Sequence, residues 1–228
     1  EVNAAAASAA LIVDGERVLA MRAIVGEKKT PTPILVSEVK TIVINPPWVV
    51  PESIIRKEIL PALARRPDYL EKNRMRWIDG QLVQEPGEKN SLGRIKFEFA
   101  NPFHVYLHDT PYRSLFARDE RARSHGCVRL EKPVDLAEWL LERDPAWPRE
   151  RIEQAIADGA TLRIPLRNSI PVIIAYWTSF VDADGTVEFR NDIYGRDIRL
   201  LAALDSVRPA PQPETSVQGA AAISACGV

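Results

Sequence analysis

Cys127 is the side chain in this chain best suited to covalent chemistry. The reacting form is the thiolate, and a free thiol has a pKa of roughly 8.5, so a nearby imidazole, cation or backbone donor must promote ionisation. The chain holds three histidines, His104, His108 and His125, which precede Cys127 by 23, 19 and 2 positions. Nineteen residues are too many for contact within one helix or strand. A strand, an excursion and a return would bring His108 to the sulfur. The run Ser124-His125-Gly126-Cys127 adds a turn in which Gly126 permits backbone angles and close approaches closed to other residues. The alternative is a buried structural cysteine beside ordinary core histidines.

These residues resemble the signature of the L,D-transpeptidase (YkuD-type) catalytic domain of bacterial cell-wall enzymes, a histidine followed at a distance by Ser-His-Gly-Cys-x-Arg. Further runs resemble the large Gram-negative branch of that family in the same order: Asn45-Pro-Pro-Trp-Val-Val-Pro51, Pro86-Gly-Glu-Lys-Asn-Ser-Leu-Gly93, Tyr106-Leu-His-Asp-Thr-Pro111 and Asp192-Ile-Tyr-Gly-Arg-Asp197. The resemblance covers about residues 2–204. It implies that Cys127 is the nucleophile on an amide carbonyl and His108 the general base, with a backbone carbonyl around Asp109 holding the imidazole tautomer. Asp109 as an ordinary triad carboxylate remains the competing reading. The Cys127 N–H, with Gly126 and the Tyr106 hydroxyl, would stabilise the oxyanion. Ser124, His125, Arg129 and Asn90 would contact substrate or shape the turn, Arg129 either anchoring a substrate carboxylate or bracing the loop.

By the same resemblance the donor is a peptidoglycan tetrapeptide stem, cut between its third, diamino-acid residue and D-Ala. An amine of another stem would resolve the thioester to a 3→3 cross-link. Water would make the protein an L,D-carboxypeptidase and a protein lysine a lipoprotein anchor. Carbapenem β-lactams would acylate the same thiol, no cofactor is needed, and the address is extracytoplasmic, in the periplasm. Two readings from other classes compete: a zinc site built from His104, His108, His125 and Cys127, and a catalytically silent wall-binding module.

Composition bounds these choices. The 228 residues are 46% hydrophobic, ample for a core. The 30 basic and 31 acidic residues nearly cancel, which points away from nucleic acid or a charged membrane as the main partner. Two cysteines, Cys127 and Cys226, offer no disulfide framework, and a bridge between them would disable the nucleophile. No run approaches the roughly 18 apolar residues of a membrane span, and the chain begins at Glu1, so no membrane anchor is expected in it.

The elements that must position the site read as follows. A hairpin spans 7–13 and 17–25 around Asp14-Gly15, and a strand at 36–44 ends at Pro46-Pro47. Helices follow at 53–60 and 67–72, and a small hairpin at 75–78 and 81–83 makes a short capping region at about 70–85. Strands at 94–99 and 103–108 come next; period two puts His104, Tyr106 and His108 on one face of the second. Residues 112–117 read as helical, within a basic excursion (Arg113, Arg118, Arg121, Arg123) that is either a solvated surface or a carboxylate-recognition patch. Helices at 133–141 and 148–157, strands at 161–166, 172–181 and 187–190, and a helix at 193–204 complete the pattern. The class is α+β: a mostly antiparallel, curved sheet or sandwich with peripheral helices. Residues 1–205 form the catalytic domain, and 206–228 read as a disordered tail.

Overall fold

The computed structural model describes residues 1–206 apart from Arg143 and Ala183; the expectations for the tail and for Cys226 lie outside the described residues. In chain order the strands are β1 (Val2–Asn3), β2 (Ser8–Val13), β3 (Glu16–Gly26), β4 (Leu35–Ile44), β5 (Trp48–Val49), β6 (Met75–Ile78), β7 (Gln81–Gln84), β8 (Ile95–Phe99), β9 (Leu107–His108), β10 (Ala122–Ser124), β11 (Val128–Leu130), β12 (Leu162–Ala175), β13 (Ser179–Val181) and β14 (Val187–Phe189). The helices are α1 (Glu52–Ile54), which runs through a π-helical turn (Ile55–Ile59) into α2 (Leu60–Arg65), then α3 (Tyr69–Lys72), a 3-10 turn (Arg113–Ala117), α4 (Pro133–Leu141), α5 (Arg149–Asp158) and α6 (Asp197–Asp205).

Nine strands make the main sheet in the order β10-β3-β11-β9-β8-β4-β12-β1-β2, and β2 also pairs with β3, so the pairings form a circuit. The sheet is curved and mostly antiparallel; β1–β12, β10–β3 and β11–β9 are its parallel contacts. This is an α+β fold. Strand β3 is long enough to serve several neighbours: residues 16–22 meet β2, Ala23 and Ile24 meet β11, and Val25 and Gly26 meet β10. The β2–β3 reversal is made by Asp14 and Gly15 with φ of 53° and 84°, the left-handed pair a two-residue hairpin requires.

The core lies on one face of this sheet. Ile42 and Ile44 of β4, Ile95 and Phe97 of β8, Leu107 of β9, and Val128 and Leu130 of β11 pack with Ala137 and Leu141 of α4 and Ile152 and Ala155 of α5. Fully burying a side chain the size of Phe97 contributes about 1.5–3 kcal/mol. Strand alternation then sends Lys96 and Glu98, His108 and Arg129 to the opposite face.

A second, smaller layer is built by residues 48–84. β5, β7 and β6 form a three-stranded sheet, with Asp79 and Gly80 in left-handed conformation at its hairpin. It has its own core of Val50, Ile55, Ile59, Met75 and Leu82. The expected hairpin at 75–83 is therefore part of a layer shared with β5 and the helices.

Two expectations need correction. The strand expected at 103–108 is only Leu107–His108, because His104 takes a left-handed φ of 53°. Asn101 enforces the bend: its Nδ2 donates to the carbonyls of Phe99 and Val105 while its Oδ1 accepts the N–H groups of Phe103 and Val105. The strand expected to end at 166 continues to Ala175 as one element, with a register irregularity between Pro165 and Ile170 in place of a turn. Residues 1–194 form one compact unit, and α6 lies in the segment from Gly195 onward.

Asn45 ties the sheet to a helix end. It is fully buried with φ 48°, and its Nδ2 donates to the carbonyls of Ala155, Ile156 and Ala160, at the C-terminus of α5. Its Oδ1 accepts from Arg94 Nε. Helix C-termini leave carbonyls that need such donors. Asn45→Ala is expected to cost about 3 kcal/mol, from unsatisfied buried groups and the left-handed backbone, and a urea melt against wild type measures it.

Candidate active site

Strands β9 and β11 run parallel, with Leu107 opposite Val128 and His108 opposite Arg129. Since Leu107 and Val128 enter the core, His108 and Arg129 share the other face, while Tyr106 and Cys127 immediately precede the two strands, Cys127 packing in part against the core. The Val128 N–H donates to the Tyr106 carbonyl at 3.0 Å, closing this end of the ladder. Strand β8 lies on the far side of β9 and pairs Lys96 with His108. Lys96, Tyr106, His108, Cys127 and Arg129 are thus assembled by the register of three strands.

The turn that carries Cys127 is fastened from two directions. The Ser124 hydroxyl accepts the Gly126 N–H at 3.1 Å and donates to the Cys127 carbonyl at 2.5 Å. From the β3–β4 connection, Thr32 Oγ1 donates to the Gly126 carbonyl and accepts the Gly26 N–H, and Thr30 Oγ1 donates to the Ser124 carbonyl. Gly126 has φ 111°, which is strained for any residue with a Cβ.

His108 is buried, and its Nδ1 lies 2.5 Å from the Asp109 carbonyl oxygen. That contact puts a proton on Nδ1 and leaves Nε2 as the acceptor. Burial, then the positive charge of Arg129, lower the His108 pKa to about 3, against hydrogen bonding to the backbone of Asp109 and Leu92. The ring is neutral at physiological pH. The Asp109 carboxylate turns elsewhere: it accepts the Arg94 N–H at 2.9 Å and Arg113 Nη1 at 3.2 Å. A Cβ on Gly93, where φ is 66°, would lie 2.5 Å from that carboxylate, so the position has no room for a side chain.

Burial pushes the Cys127 thiol up, opposed by the Tyr106 N–H, Arg129 and Lys96. Burial likewise raises the Tyr106 phenol and lowers the Arg129 guanidinium. Arg129 Nε is buried without a hydrogen-bond partner, while its guanidinium carbon sits 5.9 Å from the centre of the Tyr112 ring. A buried cation donor left open in this way is costly unless an anion arrives to meet it.

Other expected residues stand apart. His125 is half-exposed, and its Nε2 lies 2.6 Å from Glu58 Oε1 on the π-helical turn of the small layer. Asn90 is buried, donating to the carbonyls of Gln84 and Glu85 and accepting the Leu92 N–H, so it braces the loop beside His108. Ser124 is buried with its hydroxyl bridging the turn. Gly126 has already given its N–H to Ser124. His104 is exposed in its bend, so the three histidines do not meet, and among the described residues no three His, Cys, Asp or Glu side chains gather as a metal site. The arginines of the excursion serve the fold: Arg113 binds Asp109 and the Glu131 carbonyl, Arg121 the carbonyls of Ala6, Ala7 and Ala23, and Arg123 that of Glu120. Lys96 and Glu58 had no signal as isolated letters. The alternation of Ile95, Phe97 and Phe99 does put Lys96 on the site face once the strand is known to be next to β9.

The depressed His108 pKa makes the site acid-labile. Folded His108 refuses a proton that the unfolded chain takes up below its ordinary pKa of 6.5, so this contribution is complete above pH 6.5 and falls away toward about 3. Between pH 6.5 and 4.5 wild type should lose about 2–3 kcal/mol more stability than His108→Asn. Denaturant melts at the two pH values read the difference, and equal acid slopes for both proteins would contradict it.

The family described as the L,D-transpeptidase catalytic domain (YkuD) matches residues 1–152. A Haemophilus influenzae protein described as "Putative L,D-transpeptidase" is 33% identical over 210 residues, covering 83% of this chain and 42% of that protein. The chain therefore spans less than half the length of this curated relative. A solved L,D-transpeptidase from Mycobacterium smegmatis aligns with a TM-score of 0.40 at 19% identity, over 76% of this chain and 56% of that one. With its family signature matched across two thirds of its length, the chain belongs to the L,D-transpeptidase catalytic-domain family.

Proposed function

We propose that the protein is a peptidoglycan L,D-transpeptidase with Cys127 as nucleophile and His108 as general base. The observation that carries this reading is the pairing of β9 with β11. It brings the residues that follow Cys127 alongside His108, whose ring proton is held on Nδ1 by the Asp109 carbonyl.

In the first half-reaction His108 Nε2 takes the proton of Cys127, and the sulfur attacks the carbonyl between the diamino acid and D-Ala of a tetrapeptide stem. The tetrahedral oxyanion is met by the Cys127 N–H, with the Tyr106 hydroxyl as second donor; each such donor is worth about 2.7–4 kcal/mol. Collapse breaks the C–N bond, the leaving amine takes the proton from His108, and a thioester remains. An amine of a second stem then attacks the thioester, His108 receives its proton, and the thiol is restored with a 3→3 cross-link. The buried guanidinium of Arg129, with its Nε unpartnered, suits the carboxylate of the departing D-Ala. This chemistry belongs where peptidoglycan lies, in the periplasm. No helix among the described residues is long and apolar enough to cross a membrane.

Intact-mass measurement after incubation with a tetrapeptide muropeptide, and separately with a carbapenem, tests the assignment. An acyl adduct is expected on wild type and none on Cys127→Ala; an adduct that persists on Cys127→Ala, or none on wild type, overturns it. Asp109→Ala separates carbonyl from carboxylate. If the carbonyl orients the ring, the turnover of folded variant falls by about tenfold or less, against the roughly 10⁴-fold loss seen when a triad carboxylate is neutralised.

A further inference from the structure

The Cys127 sulfur lacks the counter-ion a cysteine–imidazole site would supply. His108 is buried and placed beside Arg129, and together these oppose an imidazolium more than the Nδ1 contact with the Asp109 carbonyl favours one. Positive charge reaches the sulfur from elsewhere. Arg129 stands two residues beyond Cys127, in β11. On β8, Lys96 is the register partner of His108, with only 13% of its side chain exposed.

Lys96 is held in place by two contacts. Its Nζ lies 3.8 Å from the centre of the Tyr106 ring and 2.9 Å from Glu98 Oε1, and Glu98 is itself bound by Arg163 from β12. Tyr106 adjoins the nucleophile turn, its carbonyl accepting the Val128 N–H. The ammonium thus sits against the aromatic ring next to the nucleophile, in surroundings where charges act strongly.

We propose that Lys96 is a charge-positioning residue for the nucleophile: with Arg129 it supplies the positive field that favours ionisation of Cys127 in a site whose resting imidazole is neutral. His108, neutral at rest, carries the proton only during the reaction, and Glu98 limits the field by partly neutralising Lys96. The inference rests on the reading of Cys127 as nucleophile. The charged and titratable groups around that sulfur are Arg129 on β11, Tyr106 just before β9 and His108 on it, Lys96 and Glu98 on β8, His125 in the turn and Glu58 on the π-helical turn. The field is consistent with the pKa directions, since Lys96 and Arg129 both favour the ionised thiol.

The test is the pH dependence of Cys127 alkylation by iodoacetamide, followed by intact mass, alongside thermal melts of each variant. Lys96→Met should raise the midpoint by about one pH unit and Lys96→Arg should restore it. Glu98→Gln should move it the other way, downward by about half a unit, a sign that mere loosening of the strand would not produce. His108→Gln should shift it less than Lys96→Met. The proposal is overturned if Lys96→Met, melting like wild type, keeps the wild-type midpoint, or if Glu98→Gln raises it. Should Lys96→Met fail to fold, the sign of the Glu98→Gln shift decides alone. Alkylation reports the thiol whether or not the protein turns over peptidoglycan, so failure with muropeptide substrate would be seen separately.

Discussion

The site depends on one register. Strands β9 and β11 are two and three residues long, yet their parallel pairing determines where the thiol, the imidazole and the guanidinium lie. Alternation leaves no freedom once Leu107, Val128 and Leu130 are in the core: His108 and Arg129 must take the other face, and Cys127 is fixed at the entry to β11. Slipping either strand by one residue would bury Arg129 or His108 among isoleucines and phenylalanine and expose a core side chain, at a cost of several kcal/mol. The hydrophobic core therefore sets the alignment of the chemistry, which explains how such short strands hold it.

Electrostatics gives that arrangement its character. Enclosing His108 keeps its ring neutral and able to accept a proton, and the Asp109 carbonyl orients it without adding a negative charge. A carboxylate in the carbonyl's place would stabilise an imidazolium, which Arg129 opposes. Asp109 itself keeps its carboxylate on the Arg94 N–H and Arg113, where it steadies the loop leading into β8. Arg129 carries the cost of desolvation with an open Nε, a state that favours the arrival of an anion.

Much of this was legible in the sequence because local rules agreed with the tertiary structure. Asp14-Gly15 and Asp79-Gly80 announce their hairpins, and Pro133 opens α4 where a helix accepts proline. Cys127 and His108 stood out by residue type and by the wording around them. What stayed hidden was decided by partners distant in the chain. The bend at His104 follows from Asn101 claiming four backbone groups, which no period-two reading of 103–108 foresees. Asn90 and Ser124 look like substrate contacts as letters, but their polar atoms are consumed within their own loops. Thr32 reaches Gly126 across 94 positions, so its part is invisible until β3 and the nucleophile turn are seen together.

That long reach also decides which part of the protein holds the nucleophile in place. The small layer of residues 48–84 has a core of its own, separate from that of the main sheet. Its ionisable link to the turn is the half-exposed Glu58–His125 contact, and exposed pairs of this kind contribute about 0–1 kcal/mol. Against it stand the hydroxyls of Thr30, Thr32 and Ser124, which engage backbone groups of the turn in largely buried surroundings, each bond worth about 0.5–1.5 kcal/mol and more if a partner is left unsatisfied. The balance lies with the hydroxyls. Cys127 is held where the main sheet puts it, and the small layer can vary in sequence with little effect on the geometry of the thiol.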